Sequence, residues 1–359
     1  MKKAFLFILI LFFAVCNAGC SAGTEYTRYR MDFIDTFDTV VTVMAYTKND
    51  AEFKELSDTA YMSFKKMNDL FDIYHDYEGV TNIKTINDNA GLKPVQVDRL
   101  IIEVLKKARD WYAKTDGKLD VTLGPVLEIW HRYREAGLAN PEAAEVPAMK
   151  ELTAANEFTG LDNLIIDERN MTVFLKEKSM RLDVGAVAKG FAAEETVRIL
   201  KEKGYTSVLI SAGGNIRAIG KPLDGRAKWG VGIKDPSSAL GSSTEEQNLL
   251  DTAYVTDTSV VSSGIYERFY KANGKVYHHL IDPATLMPAE YYTAVTVITP
   301  DSGDADILST TLFLLPLQKS RALAESLHAE ALWVLPDGQI EMTPGMKQLL
   351  KKAGGAAGG

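Results

Sequence analysis

The sequence predicts a mixed α/β fold, α+β in character, built as one body of two intimate lobes with a cleft between them. Three observations carry this. Apolar residues recur at helical spacing in several separate windows, and runs rich in β-branched residues dominate from Asn163 onward. Neither an internal repeat nor a clear linker divides the chain. The 359 residues, 46% of them hydrophobic, are enough for one large core. A net charge of −8 and the lack of any Arg-rich run argue against a protein that tracks nucleic-acid phosphates.

In chain order, residues 1–19 read as an export leader. Lys2 and Lys3 precede an apolar run from Ala4 to Val15, too short to anchor a bilayer, and small residues follow. Ala18-Gly19-Cys20-Ser21 has the form of a lipoprotein cleavage box, with Cys20 the residue to be lipidated; cleavage without lipid is the alternative, because Asn17 departs from the usual aliphatic residue. Cys16 and Cys20 are the only cysteines, so the remaining chain has no disulfide, no thiolate nucleophile and no cysteine for zinc. Residues 20–30 read as a tether, 31–347 as the folded domain and 348–359 as a flexible tail.

Within the domain, Asp32 to Tyr46 has the β-branched density of a strand. Phe53, Leu56, Ala60, Phe64, Met67, Leu70 and Phe71 line one face of a helix. A second helix runs from an Asp98 N-cap to Tyr112, with Gly117 past its end. The Ala-, Glu- and Pro-rich stretch around 135–160 reads as a surface excursion. LIIDE, MTVFL and TSVLIS read as strands, interrupted by a helix over 186–204 that stops at Gly204. Residues 237–250 read as an exposed loop, and Asn273-Gly274 as a two-residue hairpin turn.

Four stretches can carry chemistry. In LDVGAVAKGF (182–191), an acid ends a strand before a helix start whose free N–H groups, with Lys189, can hold a phosphate; the plainer reading is that Asp183 simply caps the helix. In ISAGGNIRAIG (210–220), Gly213 and Gly214 permit close approach of a ligand, or only a bulge, and the strand leads into another strand, which excludes a Rossmann fingerprint. The hairpin over 261–283 brings together hydroxyls, Glu267, Arg268, His279 and Asp282; His278 and His279 alternate faces, so only one can point at a site. In DADILSTTLF (304–313), Asp306 and Thr310 stand four apart on one helix face. A carboxylate and a hydroxyl are hard oxygen donors, suited to Mg²⁺ or Ca²⁺; carboxylates near a helix start are otherwise plain dipole and cap chemistry.

In this order the chain resembles the ApbE family, the FAD:protein FMN transferases. The markers are FDTVVTV, YHDYEGVTNIKTIND, KLDVTLGP, LDVGAVAKGF, WGVGIKDP, SSGIYERF, HLIDPATLMP and DADILSTTLF, spread from about Phe33 to Thr343. The resemblance implies a flavin-binding cleft, export with a lipid anchor in a membrane, FAD as substrate and Mg²⁺ as cofactor. It implies transfer of FMN to a Thr hydroxyl of an exported client flavoprotein, such as a subunit of a membrane redox pump, with release of AMP. By the same resemblance the metal ligands are the Asp306 carboxylate, the Thr310 hydroxyl and the Ala186 carbonyl, with Ser309 a lesser candidate. Flavin and adenine contacts fall to Phe37, Tyr74, Leu119, Asp120, Val121, Asp183, Lys189 and Leu280. His279, Lys189 and Asp183 are the catalytic candidates, His279 for proton transfer or for orienting the phosphate. Phe37-Asp38 stands where the family commonly has Met-Gly, and Leu286 where a Gly is common. Asp304 and Thr311 read as cap and packing.

Two other readings share these residues. One is a metal-dependent FAD pyrophosphatase with water as acceptor. The other is a non-catalytic flavin-binding lipoprotein. The sequence alone does not separate them from a transferase, because water access and client docking decide the difference.

Overall fold

The computed structural model describes residues 25–239 and 249–354. The leader, Cys20 and most of the 237–250 segment therefore lie outside the described residues. The chain opens with a hairpin of β1 (Thr27–Thr36) and β2 (Thr39–Thr47). A single strand is expected over 32–46, but Phe37 and Asp38 take left-handed conformations, φ +54° and +51°, and turn the chain back. Paired positive φ values make the tight turn whose twist suits a hairpin, usually signalled by Asn or Gly, so nothing in the residue types announced it. Asn68 Oδ1 secures the turn by accepting from the Phe37 N–H at 2.7 Å. Because β1 starts at Thr27, the tether loses its last four residues to the sheet.

The long helix α1 (Asp50–Phe71) has the expected buried face, and Asn49 caps it by accepting from Glu52 N–H. A short α2 (Ile83–Asp88), β3 (Val95–Gln96) and α3 (Arg99–Lys114) follow, with Asp98 the N-cap of α3. Next come α4 (Gly124–Ala139) and α5 (Met149–Asn156), then β4 (Leu164–Asp167) and β5 (Thr172–Leu175). The 135–160 stretch is more than an excursion: Leu152 is fully buried, and Tyr270 Oη donates to the Glu145 carbonyl. Helix α6 (Gly185–Glu202) leads to β6 (Val208–Ala212) and β7 (Asn215–Ile219), joined through Gly213-Gly214 as strand to strand.

The second half adds β8 (Trp229–Lys234), the short α7 (Pro236–Ala239), β9 (Leu249–Val255) and β10 (Ser259–Gly264). Asn273-Gly274 closes the hairpin of β11 (Phe269–Ala272) and β12 (Lys275–His278). Two-residue strands β13 (Ile281–Asp282) and β14 (Met287–Pro288) precede β15 (Ala294–Thr299), α8 (Ser302–Phe313) and α9 (Leu317–Ser326). The chain ends with β16 (Glu330–Val334), β17 (Ile340–Met342) and α10 (Pro344–Leu349). Residues 350–354 are not a free tail. Leu350 is buried and bridges Ala253, and Lys352 N–H donates to Asp251 Oδ1 at 2.9 Å.

Among the described residues, eight strands form one antiparallel sheet in the order β1-β2-β6-β7-β10-β15-β16-β17. Alternate residues serve two cores, as period-two side chains must. Val261, Val297 and Trp333 join the helices α1, α6 and α8 on one face, while Val260, Ile298 and Leu332 join Trp229, Val231 and Val255 of β8–β9 on the other. A third cluster, with Val126, Trp130, Leu152 and Tyr270, holds α4, α5 and β11 together as the second lobe. Helix α8 sits between sheet and helices with ten of its twelve residues buried, which is why it lacks the polar face of a surface helix.

Candidate active site

A cleft of about 400 Å³ opens where the ends of α6 and α8 face the second lobe. Its wall is made by the β1–β2 turn, the segment after α1, the loop before α4, the start of α6, β10, and the β12–β13 junction. All twelve residues expected to touch flavin, metal or phosphate line it: Phe37, Tyr74, Leu119, Asp120, Val121, Asp183, Ala186, Lys189, His279, Leu280, Asp306 and Thr310.

At one end, α6 and α8 approach until backbone meets side chain. Gly190 N–H donates to Asp306 Oδ2 at 2.8 Å. A regular helix directs that N–H at the Ala186 carbonyl four residues back, so Asp306 meets α6 beside that carbonyl, whose second lone pair is free of the helical bond. Only glycine permits the approach. A Cβ on residue 190 would lie 2.3 Å from the Ser302 carbonyl oxygen and 2.5 Å from Asp306 Cβ. Asp306 is buried, and burial raises its pKa, with Lys189 and the Gly190 N–H pulling the other way. The Asn215 amide also faces Asp306, yet its buried Nδ2 lacks a hydrogen-bond partner of good geometry.

Thr310, one turn on, lies 3.5 Å from Ser263 Oγ. Ser309 braces the helix instead. Fully buried, it donates to the Asp306 carbonyl and shares a 2.8 Å bond with Ser263. Asp304 is not the cap of α8. Asp301 caps it, accepting from Asp304 N–H, while Asp304 binds Lys107 and Trp111 Nε1. Among the described residues no group of three or more His, Cys, Asp or Glu is placed to hold a metal. Asp306, Thr310 and Ala186 line the same cleft, and a carboxylate, a hydroxyl and a carbonyl are donors that fit a hard cation with open positions better than they fit zinc.

Asp183 follows no strand; Arg181 makes only a single bridge to Leu123. Its carboxylate accepts from Gly185 N–H at 2.8 Å, a cap-like role, and burial raises its pKa. Asp120 is raised by burial too, although Thr122 donates to it twice. Both histidines line the cleft, because β12 ends at His278 and strand alternation does not extend to His279; their bonding separates them. His278 spends both nitrogens on backbone, Nε2 toward the Ala289 carbonyl and Nδ1 accepting from Leu280 N–H, and burial lowers its pKa to about 4. His279 faces the cleft with a buried, unpaired Nδ1, and burial lowers its pKa to about 3. It is therefore neutral near pH 7, with a lone pair or an N–H to offer.

Two cleft residues on α4 carry no signal in the sequence. His131 and Arg134 of α4 line the cleft, the imidazole packed 5.1 Å from the Tyr74 ring and bonded to the guanidinium at 2.7 Å. Lys118 pairs with buried Asp282 at 2.6 Å, and Arg268 lies 3.8 Å from Asp38 across the β1–β2 turn. Helix α4 has no motif, so only the third dimension could bring it in. Asn215 belongs to a stretch whose glycines draw attention away from its amide.

The model of the ApbE family matches residues 37–333. The chain belongs to the ApbE family. Two curated relatives, each named FAD:protein FMN transferase, come from Treponema pallidum and Klebsiella pneumoniae. The first is 30% identical over 94% of this chain and 93% of its own, the second 31% over 79% and 84%. The ApbE protein of Thermotoga maritima superposes with TM-score 0.77 at 28% identity, covering 90% of this chain and all of that one. The flavin transferase ApbE of Vibrio cholerae gives 0.73 at 25% with the same coverage. The ApbE fold is thus an antiparallel sheet carrying α6 and α8, faced by the α4–β11 lobe.

Proposed function

We propose that this protein is an FAD:protein FMN transferase that uses Mg²⁺ to move FMN from FAD onto a threonine hydroxyl of an exported client, releasing AMP. The observation that supports it best is the oxygen set of Asp306, Thr310 and Ala186 at the end of a cleft that also holds Lys118, Lys189, Arg134 and Arg268. A pyrophosphate is doubly anionic, so a wall combining cationic side chains with aromatic and aliphatic ones suits a dinucleotide with an apolar ring system.

When bound, Mg²⁺ would neutralise phosphate charge and favour departure of AMP. The chain's own residues supply the rest. Asp306, Thr310 and Ala186 would hold the cation, and Asn215 Nδ2, an unpaired buried donor, would gain an acceptor in a phosphate oxygen. Lys189 adds positive charge where negative charge develops. Phe37, Tyr74, Leu119 and Leu280 cover apolar surface of the substrate and exclude water. In the reaction the client oxygen bonds to the FMN phosphorus, and the bond to the bridging oxygen breaks with its electron pair leaving on AMP. The hydroxyl proton passes to neutral His279 or to solvent.

The leader and Cys20 support export with a lipid anchor, so the client would be an exported or membrane-facing flavoprotein. Incubating the mature protein with FAD, Mg²⁺ and a candidate client, while following client mass and AMP, tests the reading. Client mass gain with AMP supports transfer, AMP alone means a pyrophosphatase, and neither means a binder. Radiolabelled lipid incorporation lost in Cys20→Ala tests the anchor.

A further inference from the structure

Behind Asp306, α6 and α8 are clamped twice, one helical turn apart, by reciprocal bonds. Gly190 N–H of α6 donates to Asp306 Oδ2 of α8 at 2.8 Å. Four residues later on α6, Glu194 Oε2 accepts from Ser302 N–H, four residues earlier on α8, also at 2.8 Å. Strand β7 backs both bonds, one with a facing amide and the other with an ion pair. Asn215 and Arg217 stand two apart on it, hence on one face. Asn215 faces Asp306, while Arg217 grips both Glu194 oxygens, Nε at 2.8 Å and Nη2 at 3.2 Å. Arg217 is itself 4% exposed, and Nη1 also donates to the Ala218 carbonyl. The first rung, Asn215–Asp306–Gly190, belongs to the cation site. The second, Arg217–Glu194–Ser302, does not line the cleft, yet spans the same three elements.

We propose that Glu194 and Arg217 are positioning residues for the cation site, fixing the register of α8 against α6 so that Asp306 and Thr310 meet the cation in the right geometry. The inference rests on the reading of Asp306 as a cation ligand. Three arguments favour it over simple stabilisation. Arg217 is buried and Glu194 half-buried, so desolvation offsets part of the pair's attraction and suits it better to specifying an arrangement than to stabilising it. Helix α8 already has its cap in Asp301, so Glu194 is not needed to start the helix. Mg²⁺ demands near-octahedral geometry, and a one-residue slip of α8 would rotate its ligands by about 100°.

The test titrates Mg²⁺ into the mature protein without FAD, reading thermal unfolding, and separately measures the Mg²⁺ dependence of FMN transfer. Glu194→Ala should raise the half-saturating Mg²⁺ concentration roughly tenfold or more, as lost support around metal ligands does, while turnover at saturating Mg²⁺ changes far less. Glu194→Gln still accepts from Ser302 N–H and should recover part of the shift. If Glu194→Ala is too unstable to purify, the Gln variant carries the test and should show about a two- to fivefold rise, since Arg217 keeps only the more distant Asp257 carboxylate, 3.6 Å away. A lower melting temperature with the Mg²⁺ midpoint within about twofold of wild type overturns the proposal and leaves a purely structural pair. Absence of any Mg²⁺ response in the wild type overturns the cation reading itself, a different result from an unshifted midpoint.

Discussion

Replacing Asp306 by Asn probes the cation site with little change of shape. Asn keeps an oxygen to accept the Gly190 N–H and removes the only formal charge among Asp306, Thr310 and the Ala186 carbonyl. Without cation, the wild type carries a buried carboxylate whose pKa is raised by burial. The sign follows from linkage. Protonation favours the folded form, so this group's contribution is complete below its unfolded pKa and is lost as pH rises through its raised folded pKa. At about pH 7.5 the metal-free Asn variant should thus melt no lower than the wild type. With Mg²⁺ the order reverses. At a hundredfold excess over Kd, a ligand that binds only the folded state stabilises by about 2.7 kcal/mol. A folded body of roughly 320 residues has an unfolding entropy near 0.7 kcal/mol/K, so the wild type should gain about 4 °C. The variant, with only neutral oxygens, should gain less than about 1 °C, and its FMN transfer should fall on the order of 10²-fold or more. The assay is thermal unfolding in EDTA and in Mg²⁺, paired with client mass. An Asn variant that retains the Mg²⁺ gain would show that Asp306 is no ligand. One that melts several degrees lower in EDTA would show that the carboxylate is a structural brace.

Three further outcomes follow from the same geometry. Lys189→Ala should cut turnover about 10²-fold while moving the melting temperature little, because the charge acts on substrate at the cleft; full activity with unchanged FAD affinity would remove Lys189 from the site. Gly190→Ala pushes a methyl against Ser302 and Asp306, so it should cost about 1–3 kcal/mol by thermal unfolding and abolish the Mg²⁺ gain; a well-folded variant with normal Mg²⁺ response would contradict the close approach. His278, 7% exposed with a pKa lowered to about 4, stays neutral in the fold but gains a proton on unfolding below about pH 6.5. Stability from this group should be complete near pH 8 and decline by about 2 kcal/mol by roughly pH 5, a slope that His278→Gln should flatten.

What can be read from the sequence, and what cannot, divides by the range of the interaction involved. Helices α1, α3 and α6 and the Asn273-Gly274 hairpin are legible because each announces itself locally, by a 3.6-residue apolar face, a cap such as Asp98, or a turn residue able to take positive φ. The β1–β2 turn is not, because Phe37 adopts a left-handed conformation that its type disfavours, at a cost on the order of 1 kcal/mol, and only Asp38 beside it is of a type that tolerates one. Their hold comes partly from Asn68, 31 residues away. The site shows the same division. Asp306 and Thr310 can be paired from spacing alone, since four residues make one helical turn. The bond from Gly190 to Asp306 spans 116 residues, and the bond from Glu194 to Ser302 spans 108, so no local pattern contains either. Local spacing therefore marks which side chains share a face, whereas the contacts between faces decide whether those side chains can hold a cation. That is why motif residues such as Asp306 are visible in the sequence, while Glu194 and Arg217, whose proposed work is to hold α6 and α8 in register, are not.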